Sequence, residues 1–373
     1  MPNYAEIPES MEKLIELSQP RSLKPFVMSL SELAASDIPP REFLLGEWLP
    51  KESIGMVFAK RGVGKSWFCM ALAIAISEGM EAFLGWPLKD NGPVLYVDGE
   101  MALADLKGRF DELSRASASN RDLLILPAER LYRESYPISL DDEQEQVAIN
   151  DMLKQLENEG RRPRLIILDN LSSLRRSVNE NDNSEMEALM TWLNQLRHQG
   201  YAVLVVHHAG KQGTQRGASK TEDIMDFVIK LEEPKIGSKE GRFELSFEKV
   251  RARRPHPDEI SCKLEKGLSG QLFLAHGLSG NSADMEMNTL RVISEYKGSR
   301  TISQRMVAEK IQKSKSAVSR YIRDLKTMGY LHEGEVLSLT EYGRLVVHET
   351  WPNDFPCPEG MHVGMRPADD YPF

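Results

Sequence analysis

The sequence predicts an α/β fold with a mostly parallel central sheet, an antiparallel extension of that sheet, and a small helical domain after it. Three observations support this prediction. Short apolar runs alternate with longer helical patterns from Ile54 onward, strand-like runs follow one another after Asp226, and the segment from Thr289 to Val347 is short and helical. A chain of 373 residues has room for one large domain and one small domain.

The parallel sheet is predicted from apolar runs of strand length that helical patterns separate. The clearest of these runs are IGMVF, VLYVD, RLIILD and AVLVVHH. Strands that alternate with helices in this way form parallel sheets. The antiparallel extension is predicted because only turn-length gaps separate the next runs, which are DFVIKLEE, RFELSFEKVRA, ISCKLEK and QLFLA.

The chain divides into four predicted segments. Residues 1–40 mix Pro, Ser and charge as an N-terminal arm, and residues 41–280 form the α/β core domain. The segment LSGNSADMEMN interrupts the apolar pattern as a linker does, with the boundary near Ala283, and residues 288–350 form the helical domain. The tail, residues 351–373, is rich in Pro and Gly and is predicted to be mobile.

Composition argues against several classes of protein. A net charge of −9 disfavours a protein that coats nucleic acid with its whole surface, so any such contact must come from local basic patches. The three cysteines, Cys69, Cys262 and Cys357, lack the spacing of a disulfide framework or a zinc site. The sequence shows neither a signal-like N-terminus nor an apolar run of about 18 residues, so we expect a cytoplasmic protein without membrane spans.

A phosphate-binding loop is predicted between the first strand and the first long helix of the core. The segment IGMVFAKRGVGKSWFCMALAIAISEG has the pattern of a buried strand, a Gly-containing turn and an apolar helix, which such a loop requires. Gly62 and Gly64 let backbone N–H groups approach a phosphate. Lys65 supplies a mobile positive charge, and Ser66 places its hydroxyl on a magnesium ion. The candidate binding residues are Ala59, Lys60, Arg61, Gly62, Val63, Gly64, Lys65, Ser66 and Trp67.

One position departs from the usual pattern GxxxxGK[ST], because Ala59 stands in place of the first glycine. Alanine excludes only the left-handed conformations that glycine reaches at low cost. If residue 59 has a negative φ where the strand ends, the alanine costs nothing. The competing interpretation of the segment is a Gly-rich turn with a chance Lys-Ser pair.

Two acidic residues at strand ends complete the predicted site. Asp169 ends RLIILD, a run that is apolar on both faces, and is expected to support the magnesium ion that Ser66 binds. Glu100 follows VLYVDG, where a carboxylate is able to orient and activate the water that attacks the terminal phosphate. Asp98 is the competing candidate for this role. The alternatives are a helix cap for Asp169 and a solvated loop residue for Glu100.

The order of these motifs resembles the RecA-like superfamily, most closely the hexameric replicative helicases of the plasmid RepA and DnaB kind. The resemblance covers about residues 41–275 and rests on the segments AKRGVGKS, VLYVDGE, RLIILDN, VVHHAGKQGTQRGAS and FEKVRA. It implies a P-loop ATPase that uses ATP and Mg²⁺, with Glu100 as catalytic base and His207 or His208 as sensor of the γ-phosphate. Adjacent residues on a strand point to opposite sides, so at most one of the two histidines reaches the phosphate.

The resemblance also gives a role to the segment EKVR. In this family a K-x-R pair near the end of the core contacts the nucleotide of the neighbouring subunit, where the arginine acts as a finger on the developing phosphate charge. Lys249 and Arg251 match this spacing. Such a pair is useless in a monomer, so the resemblance implies a homo-oligomeric ring, expected to be a hexamer. The alternative is an exposed strand with alternating charge.

Two polar loops are candidates for contacts with single-stranded DNA. In ring ATPases of this type, the loops after the fourth and fifth strands face the central axis and carry the nucleic acid. The basic residues in these loops are Arg175, Arg176, Lys211 and Arg216, which makes them candidates for phosphate contacts. The alternative is two solvated loops.

The segment from Thr289 to Val347 resembles a winged helix-turn-helix. Helix SQRMVAEKI, turn QKSK and helix SAVSRYIRDLKTMGY have the expected lengths, and LHEGEVLSLTEYG would be the wing hairpin. The second helix is locally basic inside an acidic protein, which favours duplex DNA; the alternative is a domain for protein contacts only. The predicted buried stripe is Val307, Ile311, Val318, Ile322 and Leu325, and the candidate DNA contacts are Lys313, Lys315, Ser316, Arg320 and Arg323.

Together these motifs predict ATP hydrolysis coupled to action on DNA. The leading hypothesis is a replicative helicase or DNA translocase of a plasmid, phage or other mobile element. The alternative is an ATP-switched DNA-binding regulator or loader that does not unwind DNA. Glu100, Asp169 and Arg251 favour hydrolysis, because a pure nucleotide sensor needs no such set.

Overall fold

The structure is a computed structural model that describes residues 23–114, 119–136, 138–175, 183–208, 223–234, 241–255, 257–267, 270–278, 280–296 and 302–350. It divides into two compact units, Met1–Arg41 and Glu42–Phe373. In the smaller unit a short 3-10 helix (Lys24–Phe26) precedes helix α1 (Leu30–Ala35). Ser29 starts α1 with a reciprocal capping bond to Glu32, and neither helix buries a residue.

The larger unit alternates strands and helices up to His208 and then adds strands in succession. Its strands are β1 (Phe43–Leu45), β2 (Leu49–Pro50), β3 (Ser53–Ala59), β4 (Ala82–Phe83), β5 (Trp86–Pro87), β6 (Val94–Asp98), β7 (Leu123–Pro127), β8 (Leu165–Asp169), β9 (Ala202–His208), β10 (Phe227–Glu232), β11 (Arg242–Val250), β12 (Glu259–Lys266) and β13 (Leu272–Leu278). Its helices are α2 (Lys65–Glu78), α3 (Leu103–Leu113), α4 (Ala128–Arg133), α5 (Glu143–Asn158), α6 (Asn183–His198), α7 (Gly280–Ser294), α8 (Gln304–Ile311), α9 (Lys315–Thr327) and α10 (Glu341–Thr350). Among the described residues, no helix combines the length and the hydrophobicity needed to cross a membrane.

Nine strands form one central sheet in the order β13-β12-β11-β10-β3-β9-β8-β6-β7. The strands from β10 to β7 are parallel to one another, and β11, β12 and β13 are added antiparallel. The predicted α/β class, with its mostly parallel sheet and its antiparallel extension, is confirmed.

One strand direction in the prediction was wrong. DFVIKLEE forms β10, which pairs in parallel with β3, so the antiparallel extension begins only at β11. Parallel neighbours need a connection of about a dozen residues or more, and the segment between His208 and Phe227 is long enough to return the chain to the amino end of the sheet. The length of this gap is visible in the sequence, but the turn-length gaps that follow DFVIKLEE favoured placing it in the antiparallel extension.

Helices cover both faces of the sheet. On one face, Val57, Tyr96 and Ile167 pack in a buried cluster with α2 and α3. On the other face, the neighbouring positions Met56 and Leu95 pack in a second cluster with α5 and α6. The strands are apolar on both sides because both of their faces are buried.

A helix replaces the predicted linker near Ala283. Helix α7 covers Gly280–Ser294, so most of LSGNSADMEMN is helical and the prediction of a linker was wrong. Leu290 and Ile293 on this helix are buried in the same cluster as the residues of α2. The first residues of α7 are small and polar, so the sequence pattern did not indicate a helix, although the apolar side of this helix packs on the core.

Helices α8 and α9 match the predicted helix-turn-helix in length and packing. Ser303 and Ser314 cap the two helices by accepting backbone N–H bonds. The predicted stripe is buried at four positions and partly buried at Ile311; the four are Val307, Val318, Ile322 and Leu325.

The predicted wing hairpin is only partly formed. Leu331 and Leu339 make an isolated antiparallel bridge, and α10 begins at Glu341, inside the predicted second strand. Thr340 caps α10 by accepting a bond from the Gly343 N–H at 2.9 Å. The helix cap therefore ends the extended segment, and the winged-helix assignment stays a prediction.

Candidate active site

The predicted phosphate loop connects β3 to α2 at the carboxyl edge of the parallel strands. Ala59 ends β3 and is not among the described non-glycine residues with positive φ, so alanine fits there without strain. Gly62 and Gly64 have φ of 81° and 123°, which glycine adopts readily. A Cβ at Gly64 would also lie 2.9 Å from the ring of Phe243. Conformation and packing therefore both require glycine at position 64.

The first turn of α2 presents backbone donors to the loop. Gly64 is the N-cap, and the first helical bond runs from the Phe68 N–H to the Gly64 carbonyl at 3.0 Å. The N–H groups of Lys65, Ser66 and Trp67 therefore have no acceptor within the helix. Such groups, with the positive end of the helix dipole, form an anion site.

Lys65 folds back over the loop that precedes it. Its Nζ donates to the carbonyl oxygens of Ala59 at 3.1 Å and Lys60 at 3.0 Å. Burial lowers the pKa of Lys65, while the nearby charge of Asp169 raises it. A phosphate in the loop would offer this ammonium a charged acceptor, which binds it more strongly than a neutral carbonyl does.

Asp169 ends β8 and lies buried behind the first turn of α2. Its Oδ2 accepts a bond from the Tyr96 hydroxyl at 2.5 Å, and its carboxylate also accepts the Ser66 hydroxyl. Burial raises the pKa of Asp169, and the two hydrogen bonds and Lys65 oppose that rise. The structure thus brings Asp169, Ser66 and Lys65 together as the sequence predicts.

Glu100 follows β6 and is held by a residue that the sequence did not single out. The Asn170 amide donates to Glu100 Oε2 at 2.6 Å, and the Asn170 Oδ1 accepts the Ser173 N–H at 3.2 Å. His208 Nε2 lies 3.8 Å from the same Glu100 oxygen. Asn170 is almost completely buried, so its amide is a fixed support for the Glu100 carboxylate.

The two histidines at the end of β9 face opposite sides of the sheet. Leu204, Val206 and His208 are alternate residues of β9 and therefore share one face of the sheet. Leu204 and Val206 pack in the cluster that contains α2, so His208 also faces α2. Burial lowers the pKa of His208, and the positive charge of Lys65 adds to this effect. The structure therefore places His208, and not His207, beside Glu100.

Asp98, the competing candidate for the catalytic base, is hydrogen-bonded to the backbone of the turn that carries Glu100. Its carboxylate accepts the backbone N–H groups of Met101, at 2.9 Å, and of Glu100. Burial is the main cause that raises the pKa of Asp98, to about 6. The Glu100 side chain is 58% exposed, whereas Asp98 is 1% exposed. Glu100 is therefore the carboxylate that is open to water and substrate.

The oxygen atoms of Ser66 and Asp169 suit a magnesium ion. Both are hard donors of the kind that Mg²⁺ prefers, and they already lie in hydrogen-bonding contact with each other. Within the described part of the chain, no group of three or more His, Cys, Asp or Glu side chains is arranged to hold a metal ion by itself. A magnesium ion here would take its remaining ligands from phosphate oxygens and water.

Lys249 and Arg251 lie away from the phosphate loop of their own chain. Lys249 is paired with Val228 of β10, which is paired with Met56, three residues before Ala59 on β3. Three residues span about 10 Å along a strand. Lys249 and the Arg251 guanidinium both donate to the Asp223 carbonyl, and Arg251 is exposed. Lys249 thus lies level with the middle of β3, and Arg251 lies further toward the amino edge of the parallel strands.

The candidate nucleic acid contacts have three different outcomes. The prediction that Arg175 contacts nucleic acid is wrong, because its side chain is only 8% exposed and its Nε lies 3.5 Å from Asp141 Oδ2 in a buried ion pair. A guanidinium next to a buried carboxylate stays there, since leaving would strand a buried charge. Arg176, Lys211 and Arg216 lie outside the described residues. The candidates in α9 and in the turn before it are all exposed: Lys313, Lys315, Ser316, Arg320 and Arg323.

Comparison with known families agrees with this geometry. A family model described as AAA domain matches residues 19–214, more than half of the chain. The chain belongs to the AAA domain family. The phosphate loop, Glu100, Asp169 and His208 all lie inside the matched AAA domain.

The chain is also similar to proteins whose structures have been solved. One is the flagellar accessory protein FlaH from Methanocaldococcus jannaschii, with 14% identity, a TM-score of 0.42, and coverage of 62% of this chain and 91% of that one. Another is a KaiC-like protein from the hyperthermophilic archaeon Pyrococcus horikoshii OT3, with 17% identity, a TM-score of 0.39, and coverage of 60% and 90%. Comparison with curated proteins gives no match.

Proposed function

We propose that the protein binds ATP with Mg²⁺ and hydrolyses it. The observation that supports this most strongly is the convergence of Lys65, Asp169 and Glu100 at the carboxyl edge of the sheet, where their charges act on one another. The N–H groups of the first turn of α2, which have no acceptor within the helix, and the Lys65 ammonium would hold the phosphates. Ser66 and Asp169 would hold Mg²⁺, which neutralises phosphate charge when bound.

Glu100 is the proposed general base for the attacking water. Its carboxylate is exposed, is fixed by Asn170, and has His208 at 3.8 Å. A carboxylate held in this way accepts a proton from a water molecule without first changing its own position. His208, on the α2 face of the sheet, is the proposed sensor of the γ-phosphate.

The proposed active form is a homo-oligomeric ring, expected to be a hexamer. Lys249 and Arg251 support this proposal because they lie about 10 Å or more along the sheet from the end of β3 at their own phosphate loop, with Arg251 exposed. From there the arginine would act on the nucleotide of a neighbouring subunit as a finger. A ring gives every subunit one such neighbour.

Action on DNA is proposed from the exposed basic side of α9. Arg320 and Arg323 are exposed on this helix, while its apolar side is buried against α7 and α8. Positive charge on one side of a helix in an acidic protein is the usual footprint of a DNA phosphate backbone. We propose a replicative helicase or DNA translocase, with Lys211, Arg216 and Arg176 as candidate contacts to single-stranded DNA.

Steady-state ATP hydrolysis titrated with single-stranded DNA tests this proposal. Lys65→Ala is the control for contaminating ATPases. A DNA-stimulated rate that rises several-fold and that Lys65→Ala abolishes supports a motor. A rate that depends on Lys65 but is indifferent to DNA contradicts the motor.

A second candidate is an ATP-switched regulator or loader that binds duplex DNA through α9 without unwinding it. The observation that favours it is the shared hydrophobic cluster of α2 and α9, which would let nucleotide and DNA binding affect each other. By linkage, ATP would then change the affinity for duplex DNA by the same factor as DNA changes the affinity for ATP. Equal duplex affinity with and without ATP would contradict this candidate.

A further inference from the structure

Tyr96 is a polar side chain in the middle of the buried strand β6, and the roles assigned above do not use it. Its side chain is fully buried, and its hydroxyl donates to Asp169 Oδ2 at 2.5 Å. We infer that Tyr96 is a positioning residue that holds the Asp169 carboxylate in the orientation in which Asp169 and Ser66 serve Mg²⁺. This inference rests on the proposed binding of ATP and Mg²⁺.

The bond between Tyr96 and Asp169 follows from the register of the sheet. Tyr96 lies opposite Ile167 on β8, and Asp169 is two residues further along β8 on the same face. Two residues advance a strand by about 6.6 Å. A long side chain with a terminal donor reaches that far across neighbouring strands, which is what tyrosine provides here.

The ring of Tyr96 is clamped so that its hydroxyl has little freedom. The Phe110 ring of α3 packs against it edge to face, with centroids 5.5 Å apart and planes at 88°. Both rings belong to the cluster between the sheet and α2. Moving the phenol away from Asp169 would require opening this packed core.

The acceptor is a carboxylate, which makes the bond charge-assisted and directional. Asp169 accepts only two side-chain bonds that the structure resolves among the described residues, one from Tyr96 and one from Ser66. With Oδ2 held by the phenol, the carboxylate cannot rotate without breaking a strong bond. Hydrogen-bond partners of this kind, behind the residues of a metal site, typically change metal affinity by about 10- to 100-fold.

A purely structural role for Tyr96 would have a different consequence. If the phenol only satisfied a buried carboxylate, its loss would lower stability and would weaken nucleotide binding equally with and without Mg²⁺. If it positions Asp169 for Mg²⁺, its loss would change the Mg²⁺ dependence alone. Nucleotide binding measured at several Mg²⁺ concentrations separates the two roles without relying on activity.

The experiment compares Tyr96→Phe with wild type by calorimetric titration of the non-hydrolysable analogue β,γ-imido-ATP, in EDTA and at stepped MgCl₂ concentrations. Phenylalanine keeps the ring that packs against Phe110 and removes only the hydroxyl. Tyr201→Phe is the matched control, because Tyr201 is also buried but lies just before β9, at the amino edge of the sheet, against Arg162.

We expect Tyr96→Phe to raise the half-saturating Mg²⁺ concentration on the order of 10-fold, with affinity in EDTA unchanged. Tyr201→Phe should leave both quantities at wild-type values. An unchanged Mg²⁺ dependence in Tyr96→Phe, or an equal loss of affinity in EDTA, would overturn the inference. If the wild type itself binds the analogue no better than Lys65→Ala at every Mg²⁺ concentration, the proposed function fails instead.

Discussion

Glu100 owes its position to Asn170, and this contact joins two strands that are distant in sequence. Glu100 follows β6 and Asn170 follows β8, and the two strands are hydrogen-bonded neighbours. A catalytic carboxylate gains most from a support that is itself immobile, and Asn170 is buried and bonded to the Ser173 N–H. The site therefore depends on a residue that would not touch the nucleotide.

Replacement of Asn170 tests this support directly. We predict that Asn170→Ala lowers kcat for ATP hydrolysis on the order of 10- to 100-fold, because a small misplacement of a catalytic group costs that much. KM for ATP should change little, since Asn170 does not belong to the phosphate loop. Asn194→Ala is the control, because the Asn194 amide donates to the Met190 carbonyl within its own helix, α6. A wild-type kcat for Asn170→Ala would contradict the account.

The ionisation of Asp98 gives a pH-dependent prediction. Burial raises the pKa of Asp98 from 3.8 to about 6, so the folded state holds this proton more tightly than the unfolded chain does. The stability that it contributes is present below about pH 4 and is lost as the pH rises through about 6. Asp98→Asn keeps an acceptor for the Met101 N–H and removes the ionisation.

Asp98→Asn should therefore be more stable than wild type at pH 8, with the difference in unfolding free energy shrinking toward pH 4.5. Urea denaturation at the two pH values measures this difference. The exposed Asp105, replaced in the same way, serves as the control. A difference that is constant with pH would rule out the proposed ionisation of Asp98.

The sequence located the charged residues of the site but not their supports. Lys65 lies in a local motif, and Asp169 and Glu100 lie at or just after strand ends. At such places the residue type and its position in the sequence are enough to predict a functional role. Asn170 and Tyr96 act across strands, and strand order is not visible in one sequence. The only sequence signal for Tyr96 is a phenol inside an otherwise apolar strand.

At the scale of elements, the loop from β3 to α2 is fixed by glycines with different surroundings. Gly64 has φ of 123° and the Phe243 ring beneath it, whereas Gly62 has φ of 81° and open space around it. Helices and strands were predicted well where a short stretch of sequence contains both the apolar periodicity and the residues that end the element, as in β3 and α2. The direction of β10 and the helix α7 were missed, because each depends on how the chain packs after a long or polar connection.

We predict that Gly64→Ala destabilises the protein more than Gly62→Ala. Both variants carry a backbone penalty of about 1–2 kcal/mol for the left-handed region. Only Gly64→Ala adds a clash of its Cβ with Phe243, so the ring must move. Urea denaturation measures both changes, and adding Phe243→Leu should recover part of the loss in Gly64→Ala but none in Gly62→Ala. Equal losses for the two single variants would contradict the packing argument.

At the scale of the whole molecule, the C-terminal helices belong to the core of the larger unit. One buried cluster contains residues of α2, β11, α7, α8 and α9. The sequence predicted a separate domain because polar residues interrupt the pattern before Thr289. The apolar side of α7 packs against the core of the larger unit. The apolar periodicity of a helix shows that it has a side to bury but does not show which part of the protein that side packs against.

A shared core predicts shared unfolding. Leu325 on α9 is fully buried, so Leu325→Ala should cost about 2–5 kcal/mol and lower the temperature of one cooperative transition of the larger unit. Calorimetry, together with tryptophan fluorescence of the buried Trp48 and Trp192, reports on this transition. Two separate transitions, with only the smaller one shifted by Leu325→Ala, would show that the C-terminal helices fold as an independent domain.

The central claim is that Glu100 activates water for hydrolysis of ATP bound at Lys65. The most direct test measures ATP binding and single-turnover hydrolysis of Glu100→Gln beside wild type. Glutamine keeps the shape and the contact with Asn170 but cannot accept the proton, so binding should match wild type while the rate falls by about 10²-fold or more. Hydrolysis at the wild-type rate in Glu100→Gln would contradict the account.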